Sequence, residues 1–115
     1  MYKPSKKDLI VINQTIGELG NFSNEGSLDF ALSLLKQRKP WLHELSYLVR
    51  SLLVDHAFQD GNKRTALAAI LTYFANYEVE CDEQKMTETV YKIAKKGVKD
   101  INKIVRLMED GILRR

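Results

Sequence analysis

The segment that most constrains the fold of this 115-residue chain is residues 65–77, which is apolar on nearly every side of a helix. A helix without a polar face is stable in water when neighbouring helices cover it. Its alanines allow those neighbours to approach closely. The segment therefore predicts an all-α, compact bundle of about six helices around one central apolar helix. The length and a hydrophobic fraction of 44% predict a single domain over residues 1–115.

Residues that start and stop helices divide the rest of the chain. A capping box at residues 5–8 starts the first helix, and its apolar spacing continues to Leu19. The second helix is expected to start at residue 26 or 27, to run through residue 35 and to be stopped by Lys39-Pro40. The third begins near residue 40 and carries His56 on its inward face, at its end. The caps expected for the last two helices are Asp82, Gly97, Asp100 and Gly111.

Composition argues against several classes of protein. No apolar run approaches the roughly 20 residues needed to cross a bilayer, and no secretory signal pattern is present. A single cysteine, Cys81, is consistent with a reducing cytoplasm, so we expect a cytoplasmic protein. Neither Cys81 nor His43 has a partner at metal-ligand spacing, which argues against zinc. The net charge of +3 is spread among acidic residues and predicts no specific nucleic-acid partner.

Residues 56–64, His-Ala-Phe-Gln-Asp-Gly-Asn-Lys-Arg, carry more polar groups than a connection between two helices needs. The backbone N–H groups after Gly61 lie at a helix start, where unpaired donors and the helix dipole favour an anion. Gly61 allows the backbone to approach a ligand closely. Lys63 and Arg64 add cationic donors beside it. The turn therefore predicts a phosphate site, although a glycine turn followed by a solvated basic pair would explain each residue singly.

Two further side chains of this segment would supply chemistry to a phosphate site. Asp60 is a candidate ligand for Mg²⁺, which prefers a carboxylate together with phosphate oxygens. His56 is a candidate general base for a hydroxyl nucleophile, although a packed core histidine is the ordinary alternative. Phe58 is expected to anchor the segment in the core. Base, metal ligand and anion-binding turn are the parts that phosphoryl or nucleotidyl transfer requires.

Read in order, residues 56–64 resemble the signature of the Fic/Doc family, His-x-Phe-x-Asp/Glu-Gly/Ala-Asn-Gly/Lys-Arg, at every specified position. The chain length and the apolar helix after the motif resemble the Doc (death on curing) toxin type. The resemblance implies a nucleotide-dependent transferase that uses ATP or another nucleotide with Mg²⁺. It implies that His56 is a general base, Phe58 a loop anchor and Asp60 a Mg²⁺ ligand. It also implies four nucleotide-binding residues: Gly61, Asn62, Lys63 and Arg64.

Two departures from the typical Fic pattern bear on which group is transferred. Lys63 stands where glycine is usual, and Leu67 occupies the place of a second arginine. The lysine fills space that a phosphate would occupy, and the leucine removes a donor to the terminal phosphates. In Doc-like members this pattern goes with transfer of the terminal phosphate, so we favour a protein kinase. AMP transfer remains an alternative, since Gly61 keeps the Fic form of the motif. A non-catalytic partner-binding module is a second alternative.

Partners and regulation follow from the resemblance alone. It implies a protein substrate with a serine or threonine hydroxyl, such as a translation factor, and an antitoxin protein that restrains the enzyme. Such an antitoxin is expected to lay a helix in an apolar groove. Some Fic proteins restrain themselves with a glutamate before Gly or Asn. Glu25 precedes Gly26 here, but Asn21 stands where that motif has Ser or Thr, so Glu25 is a weak alternative.

Overall fold

Six α-helices and one short 3-10 helix form the secondary structure of residues 1–113, the part of the chain that the computed structural model describes. The helices are α1 (Lys6–Thr15), α2 (Glu25–Ser33), α3 (Trp41–Leu53), α4 (Asn62–Asn76), α5 (Glu83–Lys96) and α6 (Ile101–Glu109). The 3-10 helix, Leu34–Lys36, directly follows α2. The prediction of an all-α bundle of about six helices is confirmed. None of the helices within residues 1–113 has the length and apolar character needed to span a membrane.

The predicted start signals form as hydrogen-bonded caps. Ser5 and Asp8 make the reciprocal capping box, with side-chain to backbone distances of 3.1 and 2.8 Å. Asp82 accepts a hydrogen bond from the third backbone N–H of α5, and Asp100 accepts from the second and third of α6. Gly97 ends α5 in the left-handed conformation, with φ 60°. The three caps at helix starts satisfy backbone N–H donors that would otherwise be unpaired, and the Gly97 N–H donates to the carbonyl of Ile93.

The boundaries of the first two helices differ from the prediction. α1 ends at Thr15, so the expected extension to Leu19 is wrong, and the Leu19 side chain is 78% exposed. Gly17 takes a φ of 101°, and the N–H of Glu18 donates to the carbonyl of Asn13, which closes the helix. α2 begins at Glu25, one or two residues earlier than expected, because the preceding asparagine caps it.

The core lies around two adjacent helices, α3 and α4. α4 packs against α1, α3 and α5, while α3 also packs against α2, α5 and α6. The apolar character of residues 65–77 is therefore buried on several sides, through residues such as Ala66, Ile70 and Phe74. This packing places the start of α4 at the junction of α1, α3 and α5, where the polar segment 56–64 lies.

Candidate active site

A cleft of about 430 Å³ opens at the start of α4, which is within the usual size range of small-molecule sites. Its walls come from the α1–α2 connection, the end of α3, residues 56–64 and one face of α5. The predicted site residues that border it are His56, Asp60, Gly61, Asn62, Lys63 and Arg64. The structure thus brings the predicted polar groups together at one opening, together with Glu18 from the α1–α2 connection and Tyr91 from α5.

His56 lies in a loop and not on a helix. The expectation that it continues the inward face of α3 is wrong, because α3 ends at Leu53. The N–H of Ala57 donates back to the carbonyl of Ser51, which turns the chain out of the helical path. His56 itself has a φ of 53°, in the left-handed region that histidine tolerates better than most residues. Its imidazole is therefore exposed at the cleft instead of packed in the core.

The loop that carries His56 is held by the α1–α2 connection. The N–H groups of Ser23 and Asn24 both donate to the carbonyl of Ala57, at 2.8 and 3.0 Å. At the neighbouring positions, Phe22 and Phe58 form an antiparallel bridge, and their rings stack with centroids 4.9 Å apart. Phe58 is fully buried. The loop that carries His56 is thus held by backbone pairing on one side and by a core aromatic ring on the other.

The start of α4 has the backbone geometry predicted for an anion-binding turn. Gly61 precedes it with φ 77°, and no side chain caps this helix, unlike the starts of α1, α2, α5 and α6. The side chain of Asn62 is occupied: its amide donates to the Phe58 carbonyl at 2.8 Å, and its oxygen accepts from the Phe58 N–H at 3.0 Å. Asn62 therefore offers an anion its backbone N–H, alongside those of Lys63 and Arg64.

The Asp60 carboxylate is exposed at the cleft and makes no hydrogen bond or ion pair with any other described residue. No group of three or more His, Cys, Asp or Glu side chains within residues 1–113 is arranged to hold a metal ion. A hard cation at Asp60 would consequently need oxygen ligands from elsewhere. Mg²⁺ suits this arrangement, since it commonly uses one or two carboxylates with phosphate oxygens and water.

A buried asparagine, Asn13 on α1, connects the turn to the α1–α2 connection. Its amide donates to the backbone carbonyl of Asp60 at 3.0 Å and to the Thr65 hydroxyl at 3.1 Å. Its oxygen accepts from the N–H of Gly20 at 2.9 Å. Asn13 is 1% exposed; its bond to Thr65 is buried, and the bonds to Asp60 and Gly20 are partly buried. Asn13 was not among the residues predicted from the sequence, although a polar side chain inside an otherwise apolar helical stripe marks it.

The two cations of the turn have different partners. Arg64 donates to a carboxylate oxygen of Glu18 at 3.0 Å, whereas the Lys63 ammonium lies 5.5 Å from the centroid of the Tyr91 ring. Neither Glu18 nor Tyr91 was predicted from the sequence, since each reaches the turn from a distant part of the chain. Glu25, the weak inhibitory alternative, does not border the cleft and instead pairs with Lys6 at 2.6 Å.

Comparison with known proteins agrees with this geometry. The family model described as the Fic/DOC family matches residues 5–74, which is more than half of the chain and includes every predicted site residue. No curated protein sequence matches the chain. The matched region runs from the capping box of α1 almost to the end of α4, so it contains both the loop with His56 and the connection that holds it. The chain belongs to the Fic/DOC family, whose members are typically enzymes that transfer part of a nucleotide to a protein.

Proposed function

We propose that this protein transfers the terminal phosphate of ATP to a serine or threonine hydroxyl of a target protein. One observation carries the proposal: an exposed imidazole, an unpaired carboxylate and an uncapped helix start with two cations border the same cleft. A general base, a Mg²⁺ ligand and a phosphate site are the components that phosphoryl transfer requires. Membership of the Fic/DOC family supports nucleotide-dependent transfer to a protein in general.

In the proposed reaction, His56 accepts the proton of the target hydroxyl while the hydroxyl oxygen forms a bond to the γ-phosphorus. The bond from the γ-phosphorus to the oxygen that bridges it to the β-phosphate breaks, and ADP leaves with that electron pair. The N–H groups at the start of α4, with Lys63 and Arg64, stabilise the charge on the phosphoryl oxygens. Asp60 would hold Mg²⁺, which when bound neutralises phosphate charge.

Two residues support transfer of the terminal phosphate over transfer of AMP. The Lys63 side chain borders the cleft, where a glycine would leave that volume open for a phosphate. Leu67, one turn further along α4, is partly buried against the hydrophobic core and supplies no second guanidinium. The alternative, protein adenylylation, is supported by Gly61, which keeps the Fic form of the motif.

The two reactions are separated by the position of the label. The purified protein is incubated with candidate target proteins and with ATP labelled on either the γ- or the α-phosphate. We expect transfer from the γ-label alone, and His56→Ala lowers the initial rate about 10²- to 10⁴-fold. His43→Ala is the matched control, because the chain's other histidine lies on α3, outside the cleft.

Each other result decides against this proposal in a definite way. Transfer from the α-label alone replaces phosphorylation with AMP transfer. Loss of activity in His43→Ala with retention in His56→Ala removes His56 from the reaction. If neither label is transferred and cells expressing the wild-type protein grow like cells expressing His56→Ala, the chain is a binding module.

A further inference from the structure

Tyr91 is an aromatic side chain that the folding of α5 does not use. Tyr91 is 55% exposed and stands outside the hydrophobic core, whereas Met86, Val90 and Ile93 of the same helix are buried. The exposed ring borders the cleft next to Ala94, whose small side chain leaves room there. An aromatic ring at this place therefore calls for a reason other than packing.

The structure gives Tyr91 one partner in the cleft. The Lys63 ammonium lies 5.5 Å from the ring centroid, within the distance at which a cation is attracted to an aromatic face. Lys63 makes no ion pair with any carboxylate in the described part of the chain. Its four-carbon stem is flexible, so without the ring the ammonium would sample many positions. Tyr91 thus draws Lys63 toward α5.

The nature of this partner matters for binding an anion. Arg64, the neighbouring cation, is paired with the Glu18 carboxylate, which offsets its charge. A neutral ring leaves the charge of Lys63 whole, and it takes up none of the three ammonium hydrogens in a bond to a carboxylate. The cleft therefore has one cation whose charge a carboxylate offsets and one that keeps its full charge beside a neutral ring.

We infer that Tyr91 is a positioning residue that holds the Lys63 ammonium on the α5 side of the cleft and so sets which phosphate of ATP faces His56. This inference rests on the proposed function, because the orientation of ATP decides between phosphate and AMP transfer. The hydroxyl of Tyr91 has no part in it; the ring alone provides the attraction.

A double-mutant cycle tests the pair. Tyr91→Leu removes the ring, Tyr91→Phe keeps it, and Lys63→Met removes the charge while keeping a long side chain. We expect Tyr91→Leu to raise both the Kd and the KM for ATP about 2- to 5-fold, and to increase the fraction of label transferred from the α-phosphate. Tyr91→Phe behaves like the wild type, and Tyr91→Leu has no further effect in the Lys63→Met background.

A control and a second readout keep the outcomes distinct. Phe30→Leu changes an equally exposed aromatic residue on α2, outside the cleft, and leaves the Kd for ATP unchanged. Independent effects of Tyr91→Leu and Lys63→Met on the Kd overturn the inference, whether or not label is transferred. Coupled effects on the Kd without any transfer refute the proposed phosphorylation and leave the pairing supported. A wild-type chain that does not bind ATP overturns both.

Discussion

Glu18 and Arg64, 46 residues apart in the sequence, form an ion pair of 3.0 Å across the mouth of the cleft. The Glu18 carboxylate offsets the charge of the Arg64 guanidinium and competes with an incoming phosphate for its donors. We therefore expect Glu18→Gln to lower the Kd for ATP by up to about 5-fold, since an exposed ion pair contributes about 0–1 kcal/mol. Titration at low and high salt measures this, and the gain shrinks as salt screens the pair.

Glu25→Gln is the matched control for that change. Glu25 pairs with Lys6 outside the cleft, so its loss leaves the Kd for ATP unchanged. If the Kd for ATP falls in Glu25→Gln and not in Glu18→Gln, then Glu25 is the inhibitory glutamate, as its sequence motif suggested, and this prediction is wrong.

Gly61→Ala is expected to destabilise the protein and to weaken ATP binding. Gly61 has a φ of 77°, and a Cβ atom there would lie 2.6 Å from Cγ of Glu18. The left-handed backbone costs about 1–2 kcal/mol for a residue with a side chain. Urea unfolding measures this loss of stability. In the Glu18→Ala background the close contact with Cγ is absent, while the conformational cost remains. Gly61→Ala should therefore lower the free energy of unfolding by less in that background. An equal loss in both backgrounds would show that the contact with Glu18 does not contribute.

Asn13→Ala is expected to damage both stability and the site. It leaves the N–H of Gly20 and the carbonyl of Asp60 without their hydrogen-bond partner. Leaving a buried polar group unpaired costs about 1–3 kcal/mol. Asn102→Ala, at an exposed position of α6, changes the free energy of unfolding by less than about 0.5 kcal/mol. Urea unfolding and the Kd for ATP measure the two effects. If Asn13→Ala is as stable as Asn102→Ala, then Asn13 does not hold the α1–α2 connection to residues 56–64.

Tyr73→Phe is expected to protect the fold at alkaline pH. Burial, with a smaller contribution from the Glu44 carboxylate, raises the pKa of Tyr73 well above its usual 10.0. Above pH 10 the unfolded chain loses this proton while the folded protein keeps it. The unfolded state then binds fewer protons, so the free energy of unfolding falls as pH rises, by about 1.4 kcal/mol per unit.

The measurement is urea unfolding of the wild type and Tyr73→Phe at pH 7 and at pH 11. The Tyr73 hydroxyl has no hydrogen-bond partner within residues 1–113, so the substitution is close to neutral at pH 7. Tyr91→Phe removes an exposed hydroxyl and serves as the control. Equal alkaline losses in wild type and Tyr73→Phe would place the titrating group elsewhere.

The elements that local chemistry determines were predictable from the sequence. Ser5, Asp82 and Asp100 cap helices because each needs only a backbone N–H two or three residues ahead. Gly97 ends α5 for a similarly local reason. The apolar segment 65–77 indicated burial from its composition alone. In the same way, the order of residues 56–64 was sufficient to indicate the family.

The geometry of the site depends on contacts between distant residues, which local patterns do not contain. The apolar spacing of α3 points through position 56, yet pairing of Ala57 with residues 23 and 24 takes the chain away from the helix. Leu19 fitted the stripe of α1, but the bond from the Glu18 N–H to Asn13 ends that helix earlier. Both errors arose where a long-range or turn hydrogen bond overrode helical periodicity.

The bridge between Phe22 and Phe58 joins the α1–α2 connection to the loop between α3 and α4. Asn13 adds a second fastening between the same parts, from Gly20 to Asp60. The α1–α2 connection thus contacts both the loop that carries His56 and, through Glu18, the Arg64 guanidinium. A displacement of residues 17–24 would therefore change the position of the His56 loop and the Glu18–Arg64 ion pair together.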